Sequence, residues 1–472
     1  MPGTPSKPSK HLFVDDRWIE ETYGISRVIG TPIRDPANPV LEPLLPWESG
    51  GILCYGSVVQ DGDRLRMWYQ VYGAADRPWR SGAVGHAVSR DGVSWKKPLS
   101  GLQIDGIGPT NLVMLGGDRS HLFSPAVVID DSGDPAERYK MVFFGAMSAA
   151  DFDRLGSPFP PTTAVPGWHP VDGEGLFAAV SGDGLAWRLV GPRPVAGGPC
   201  DAAAMTRGED GTYRTFVKTS RREDRHFRII GLSQSTDFRM WSEPRVILEP
   251  DWRDPPGTEF YGMSGFDYFG NRLGLVWVYR NAPDDKRVEI ELAAEDQAGS
   301  TWSRVAERRV LLGTRESGCW DAGVVYAGSE PLVSPAFAPD EILIYYGGIN
   351  VRHDDLRYRR SAIGLARLRL DGFASLDAGH WPGDLLTRPL DGFGSDLYVN
   401  LDAAHGWVEI ECLAAETGEV LAVSERIERR NETAIFVTWK SRSGIPAQRL
   451  VRLRLKMCRS RLYAFWFGGA AL

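Results

Sequence analysis

"PCDAAAMTRGEDGTYRTFVK" (residues 199–218) carries the pattern on which the fold turns. A small-residue run, "AAAM", leads to Asp210-Gly211 and then to "YRTFVK". Asp-Gly between two strand-like segments predicts a β-hairpin. One acid, Asp201, stands just ahead of the first strand. Taken alone, it reads as a solvated strand end. The arrangement recurs, however, in "YGSVVQDGDRLRMWYQ" (55–70), "FSPAVVIDDSGDPAERYKMVFF" (123–144), "EFYGMSGFDYFGNRLGLVWVY" (259–279) and "WDAGVVYAGSEPLVSPAFAPDEILIYYGG" (320–348). Each is a small-residue strand, a turn and an aromatic-rich strand.

A second repeat is interleaved with the first. "SRDGVSW" (89–95), "SGDGLAW" (181–187), "STDFRMW" (235–241) and "AEDQAGSTW" (294–302) each place an Asp at a turn and a Trp just after it. Asp suits the turn, and Trp buries a large area against a neighbouring sheet. Asp91, Asp183 and Asp237 are therefore structural. Five such units between about residues 35 and 375 predict an all-β protein whose sheets form a five-bladed β-propeller. "GSPFPPTTAVPGWHP" (156–170) reads as an inserted loop. From about residue 384 the strands simply alternate, as in "LYVNLD", "WVEIECL" and "VRLRLKM", which predicts a C-terminal β-sandwich. The domains expected are residues 1–383 and 384–472. The closing "LYAFWF" is expected to bury every second aromatic in the sandwich core.

Composition agrees. The 472 residues hold 53 Gly, 32 Pro and 16 Trp, which suits many short strands and tight turns. The net charge of −7, without a basic run long enough to track a phosphate backbone, argues against nucleic acid. Five scattered cysteines, at 54, 200, 319, 412 and 458, lack zinc-ligand spacing. No metal or cofactor is expected. Neither a signal-like core nor an apolar run of about 18 residues appears, so no membrane partner and a cytoplasmic location are expected.

In a propeller the first strand of each blade lines the central channel. The starts of the five hairpins carry Glu48 (just upstream, in "PWESGG"), Ser124, Asp201, Glu259 and Asp321. Four carboxylates would then converge, an arrangement that raises the pKa of its members. Glycosidic hydrolysis uses such a set: one carboxylic acid protonates the leaving oxygen, and one carboxylate attacks or activates water. Arg280 is expected in a surface ion pair and the acids at 130–131 in a solvated turn.

With these motifs in place, the chain resembles the five-bladed propeller glycosidases of glycoside hydrolase families 32, 43, 62 and 68, and most nearly the family 32 pattern. "FSPAVVIDD" is similar to that family's second-blade motif, "PCDAAAM" to its "RDP", "EFYGMSGF" to its "EC-P", and "WDAGVVYA" to its fifth-blade motif. The resemblance implies that Asp201 stabilises the transition state, that Glu259 is the general acid and that Asp321 contacts the sugar. Glu48 is the remaining catalytic candidate. Asp16, Trp47, Ser124, Tyr261, Trp320 and His353 are expected to touch the carbohydrate.

Two positions depart from the family. Its Arg is Cys200 here, and its first-blade nucleophile falls near Leu53, where no carboxylate stands. Glu48, or Asp15 or Asp16 in "FVDDRWIEE", could substitute, and both retention and inversion stay open. The implied substrate is a fructose- or arabinose-containing furanoside. The alternatives are a non-catalytic sugar-binding propeller and an inverting glycoside phosphorylase. The latter would need cations near the channel, whereas "KTSRREDRHFR" (218–228) is expected on an outer loop.

Overall fold

The computed structural model describes residues 9–73, 82–116, 121–158, 173–197, 201–220, 227–296, 299, 301–355, 357, 359–391, 396–440 and 450–468. Most of the expected insertion, Cys200, residues 221–226 and part of the fourth Asp-Trp turn lie outside the described residues. Among the described residues there is one α-helix, Ala149–Leu155; the rest is strands, 3-10 turns and connections.

The recurring hairpins form the first two strands of successive antiparallel sheets. The first sheet is built on Gly51–Asp61, Arg64–Tyr72, Ala83–Ser89 and Leu112–Leu115. The second is built on Phe123–Ile129, Tyr139–Ala146, Glu174–Ser181 and Arg188–Leu189. Ala203–Arg207, Tyr213–Ser220, Arg228–Ser235 and Arg245–Leu248 form the third. Thr258–Tyr268, Asn271–Arg280 and Val288–Glu295 form the fourth, with Trp302–Arg304 and Val310–Leu312 on its outer side. The last group is Val324–Ala327, Glu341–Ile349 and Ser361–Arg369. One parallel bridge, Val288 to Val324, joins it to the fourth sheet. The initial strands of the first four groups contact one another in succession, and that of the fifth contacts the first; the fifth group meets the fourth through the second and third strands of the latter.

Those inner strands are buried on both faces over most of their length, so small and apolar residues fill most of their positions. Close approach demands glycine at two bulges. A Cβ on Gly56 would come within 1.9 Å of the Trp68 carbonyl, and one on Gly262 within 2.3 Å of the Trp277 ring. Three Asp-Trp turns share one lock. The carboxylates of Asp91, Asp183 and Asp237 each accept the backbone N–H groups two and three residues ahead, at 2.6–2.9 Å. The following Trp donates its indole N–H back to the turn. At the fourth site Trp302 is buried and its indole N–H has no partner, so that lock is not repeated.

The N-terminus does not follow the expected boundary. Ile33–Arg34 pairs with Ser361–Arg369 and completes the fifth group. His11–Leu12, Ile19–Tyr23 and Ile25–Ile29 instead join the two C-terminal sheets, which already begin at Ala374–Ala378. A division at residue 383 therefore cuts through paired strands. The two sheets share one apolar core that includes Phe13, Leu385, Val408, Leu453 and Phe465. In the closing strand Phe465 and its neighbour Trp466 are both buried, against expectation. Phe465 enters that core. Trp466 points to the opposite face, where it stacks on Tyr398 and meets Lys10.

Lys10 links the two halves. Its ammonium lies 3.0 and 2.9 Å from the Asp371 oxygens, and the pair is fully buried. Tyr268 of the fourth sheet and Asn400 of the C-terminal sheets donate to the same carboxylate at 2.7 and 2.9 Å. Breaking a buried pair leaves an uncompensated charge, at a cost of about 3–5 kcal/mol. Asp371→Asn keeps a residue that tolerates the φ of +61° and should lose stability on that scale. Adding Lys10→Met should restore much of it, as read by denaturant unfolding followed through tryptophan fluorescence.

His86 makes a second prediction. Burial pushes its imidazole down to about 3, and the Arg66 guanidinium, which donates to its Nε2 at 3.1 Å, acts in the same direction. The unfolded chain takes up this proton below about pH 6.5. Stability from His86 is therefore complete above that pH and declines as pH falls toward the folded value. His86→Gln should flatten the acid limb of a stability–pH curve by about 1.4 kcal/mol per pH unit in that window.

Candidate functional site

A cavity of about 640 Å³ opens where the inner strands begin. The first sheet supplies Leu53, Tyr55 and Tyr72, the second Phe123. Asp201 comes from just before the third sheet, Tyr261 from the fourth, and His353, Asp354, Arg359 and Ser361 from the fifth group. The floor is aromatic. Tyr55 stacks on Trp277 at 5.4 Å and meets Tyr326 at 4.8 Å; Tyr261 lies 5.3 Å from Tyr326 and 4.8 Å from His353.

Asp201 lies on the wall, one-third exposed, with the Lys218 ammonium 2.5 Å from its carboxylate. Local pairing explains this. The Lys218 N–H donates to the Ala202 carbonyl at 2.8 Å, which sets the lysine beside Asp201. Burial works against the Lys218 ammonium; the Asp201 charge and hydrogen bond, together with the Tyr261 phenol, outweigh it and lift the group above the ordinary lysine value. Ser124 is fully buried beneath. Its hydroxyl donates to the Asp201 carbonyl at 2.8 Å, while its own N–H, at a φ of +56°, donates to Gln70 at 3.0 Å. Ser124 thus holds the Asp201 backbone and does not face the cavity.

Glu259 is 4% exposed and stands behind Tyr261 rather than on the wall. Arg228 approaches it at 2.6 Å, and the Asn281 amide donates to its other oxygen. The Arg228 guanidinium also lies over the Tyr261 and Tyr279 rings, at 5.5 and 5.1 Å. His353 and Asp354 are joined at 2.7 Å. Burial lowers the His353 imidazole below its ordinary value despite the hydrogen bond and charge of Asp354. Burial alone would raise the Asp354 carboxyl; hydrogen bonds from His353, Lys286 and Tyr279 instead hold it down at about 2.

The remaining expected residues stand elsewhere. Asp321 is fully buried, held by Arg34 at 2.8 Å and the Tyr346 hydroxyl at 3.1 Å, so it anchors the closing strand. Trp320 stacks on Tyr346 at 5.5 Å, outside the cavity. Glu48 is fully buried between Lys97 at 2.6 Å and the Tyr69 hydroxyl at 2.7 Å, and Trp47 donates to Asn111 at 2.8 Å. Asp16 pairs with Arg27 beside the C-terminal sheets and is 76% exposed. Arg280 pairs with Glu291 at 2.8 Å, and that glutamate is buried. Asp130 is buried too, accepting from Tyr213, so only Asp131 of that pair is solvated.

The expected cluster of mutually repelling carboxylates is not built. Glu48, Asp201, Glu259 and Asp321 each have a private cation: Lys97, Lys218, Arg228 and Arg34. Charges taken from water need such partners, and the fold supplies one per acid. Lys218 and Arg228 also correct the outer-loop expectation. Ser220 pairs with Arg228 at the cavity end of the third sheet. The second strand of that sheet ends, and the third begins, at the end where the first strand starts, which sets both cations near the cavity. The same rule brings in Asn281 and Lys286, and also Asp354 and Arg359. Among the described residues no group of three or more His, Cys, Asp or Glu side chains could hold a metal ion.

No family model matches the chain, and no curated protein matches it. Solved structures overlap it partially. One is the family 32 β-fructofuranosidase of Bombyx mori, at 12% identity and TM-score 0.43, covering 97% of this chain and 95% of that one. Another is the β-1,2-mannobiose phosphorylase of Listeria innocua, at 13% identity and TM-score 0.46, covering 72% and 96%. A third is an N-acetylgalactosamine deacetylase from F. plautii, at 14% identity and TM-score 0.45, covering 78% and 95%.

Proposed function

We propose that the five strand groups are the blades of a five-bladed β-propeller, that the two C-terminal sheets form a β-sandwich, and that the chain is a carbohydrate-active enzyme acting on a glycosidic bond at Asp201. One observation carries the reading: a single cavity, fed by all five groups, sets the Asp201–Lys218 pair beside the rings of Tyr72, Phe123 and Tyr261. Aromatic faces suit the apolar face of a sugar ring, and a carboxylate accepts from its hydroxyls. In this reading Asp201 binds hydroxyls next to the reacting carbon, and Lys218 keeps its position and countercharge.

Hydrolysis also needs a carboxylic acid at the leaving oxygen. The resemblance assigns that step to Glu259, which reaches the cavity only when Arg228 and Asn281 release it. Phosphorolysis is the second reading; it would draw on Lys218 and Arg228 at the cavity end of the third sheet, which would have to leave Asp201 and Glu259. Phosphate brings its own nucleophilic oxygen, so one acid suffices. Fructose- and arabinose-containing furanosides remain the first substrates to try.

Turnover of aryl furanosides and pyranosides with and without phosphate separates the readings. Free sugar without phosphate is expected for the hydrolase. A sugar phosphate formed only when phosphate is added would replace it with the phosphorylase. Saturable binding without turnover would leave a non-catalytic lectin-like module and end the enzyme reading.

Glu259→Gln provides a separate test. If Glu259 donates the proton, loss should reach about 10²–10⁴-fold on poor leaving groups and be far smaller on activated aryl glycosides. Equal losses on both would make Glu259 a positioning residue for Tyr261 and Arg228. Arg228→Met, which leaves the buried Glu259 without its cation, should cost about 3 kcal/mol of stability in either case.

A further inference from the structure

One charge at the cavity has no counterpart. Asp201 faces Lys218 at 2.5 Å, Glu259 faces Arg228 at 2.6 Å, and Asp354 faces Lys286 at 3.2 Å. Arg359 lines the same cavity, is exposed, and pairs with no carboxylate among the described residues. Burial pushes the Tyr72 and Tyr326 phenols up, and the Arg359 charge is near enough to oppose that push at both. Arg352 and Arg360, on the same connection between Glu341–Ile349 and Ser361–Arg369, are also exposed. Of the three, Arg359 alone lines the cavity, in a chain whose net charge is −7. A concave site with one uncompensated cation concentrates its field on whatever enters.

We infer that the cavity takes an anionic saccharide, a glycan bearing a uronic acid whose carboxylate pairs with Arg359. The inference rests on the carbohydrate reading above and narrows its substrate class. A guanidinium presents paired N–H donors that match the two oxygens of a carboxylate. One free guanidinium also answers one carboxylate. A phosphate dianion would call on more cations, and Lys218 and Arg228 are already committed to Asp201 and Glu259.

The test is calorimetric titration of the full chain with uronate-containing oligosaccharides of several linkages, with the same compounds after reduction of the carboxyl to an alcohol, and with inorganic phosphate alone. The acidic forms should bind at least about ten-fold more tightly than their reduced forms, and the difference should shrink with added salt. Arg359→Ala should lower affinity for the acidic forms by about ten- to a hundred-fold and leave the reduced forms unchanged. Arg359→Lys should fall between, and melting curves should show both variants folded. Reduced forms that bind as well as the acidic ones would overturn the inference and leave the carbohydrate reading intact. Phosphate binding that depends on Arg359, without preference among the glycans, would overturn it in favour of phosphate. Binding to no glycan would remove both.

Discussion

The buried Lys10–Asp371 pair ties the two parts of the molecule into one. Its carboxylate also accepts from Tyr268 on the fourth sheet and Asn400 in the C-terminal sheets, and its ammonium lies over Phe269 and Trp466. A charge pair taken from water is stabilising only when its remaining valences are met. Here they are met by groups from both parts, so neither part completes the site without the other. The arrangement also accounts for the burial of adjacent aromatics in the last strand: one face of that strand packs into the two-sheet core, the other against the lysine.

The same economy governs the inner acids. Glu48, Glu259 and Asp321 are buried, Asp201 only in part, and each of the four is met by one cation. Three of these cations do local structural work: Arg34 fixes the closing strand through Asp321, Lys97 steadies the turn at Glu48, and Arg228 spans Glu259 and two tyrosine rings. Asp201 differs because it remains partly exposed on a cavity wall. The proposed chemistry centres there for that reason. Arg359, left over from this pairing, shifts the local balance toward anions.

Much of the architecture was legible in one dimension. The two hairpins announced by Asp-Gly turns fall on the first two strands of the first and third sheets, Gly51–Asp61 with Arg64–Tyr72 and Ala203–Arg207 with Tyr213–Ser220. The Asp-Trp turns were legible because their hydrogen bonds are local, spanning two or three residues. Asp201, Tyr261 and His353 were named from the sequence and line the cavity; for Asp201 the reasoning was that strand starts converge in a propeller, the arrangement proposed above. Lys218 and Arg228 were read as outer-loop cations, and Asp354 and Arg359 were not singled out, although one rule covers them: the ends of second strands and the starts of third strands lie at the cavity end.

Local pattern, then, determined strand type, hairpin positions and turn chemistry, since each depends on neighbours a few residues away. What only the tertiary structure decided was pairing across distance. Ile33–Arg34 closes the last strand group while the strands before it join the far end of the chain, because closure depends on which edges remain unpaired after collapse. Which acids face solvent and which face a private cation is likewise a property of packing. Glu48, Asp201, Glu259 and Asp321 look equivalent at their strand starts. Partners up to 287 positions away, as for Asp321 and Arg34, make three of them structural neighbours and leave one on the cavity wall.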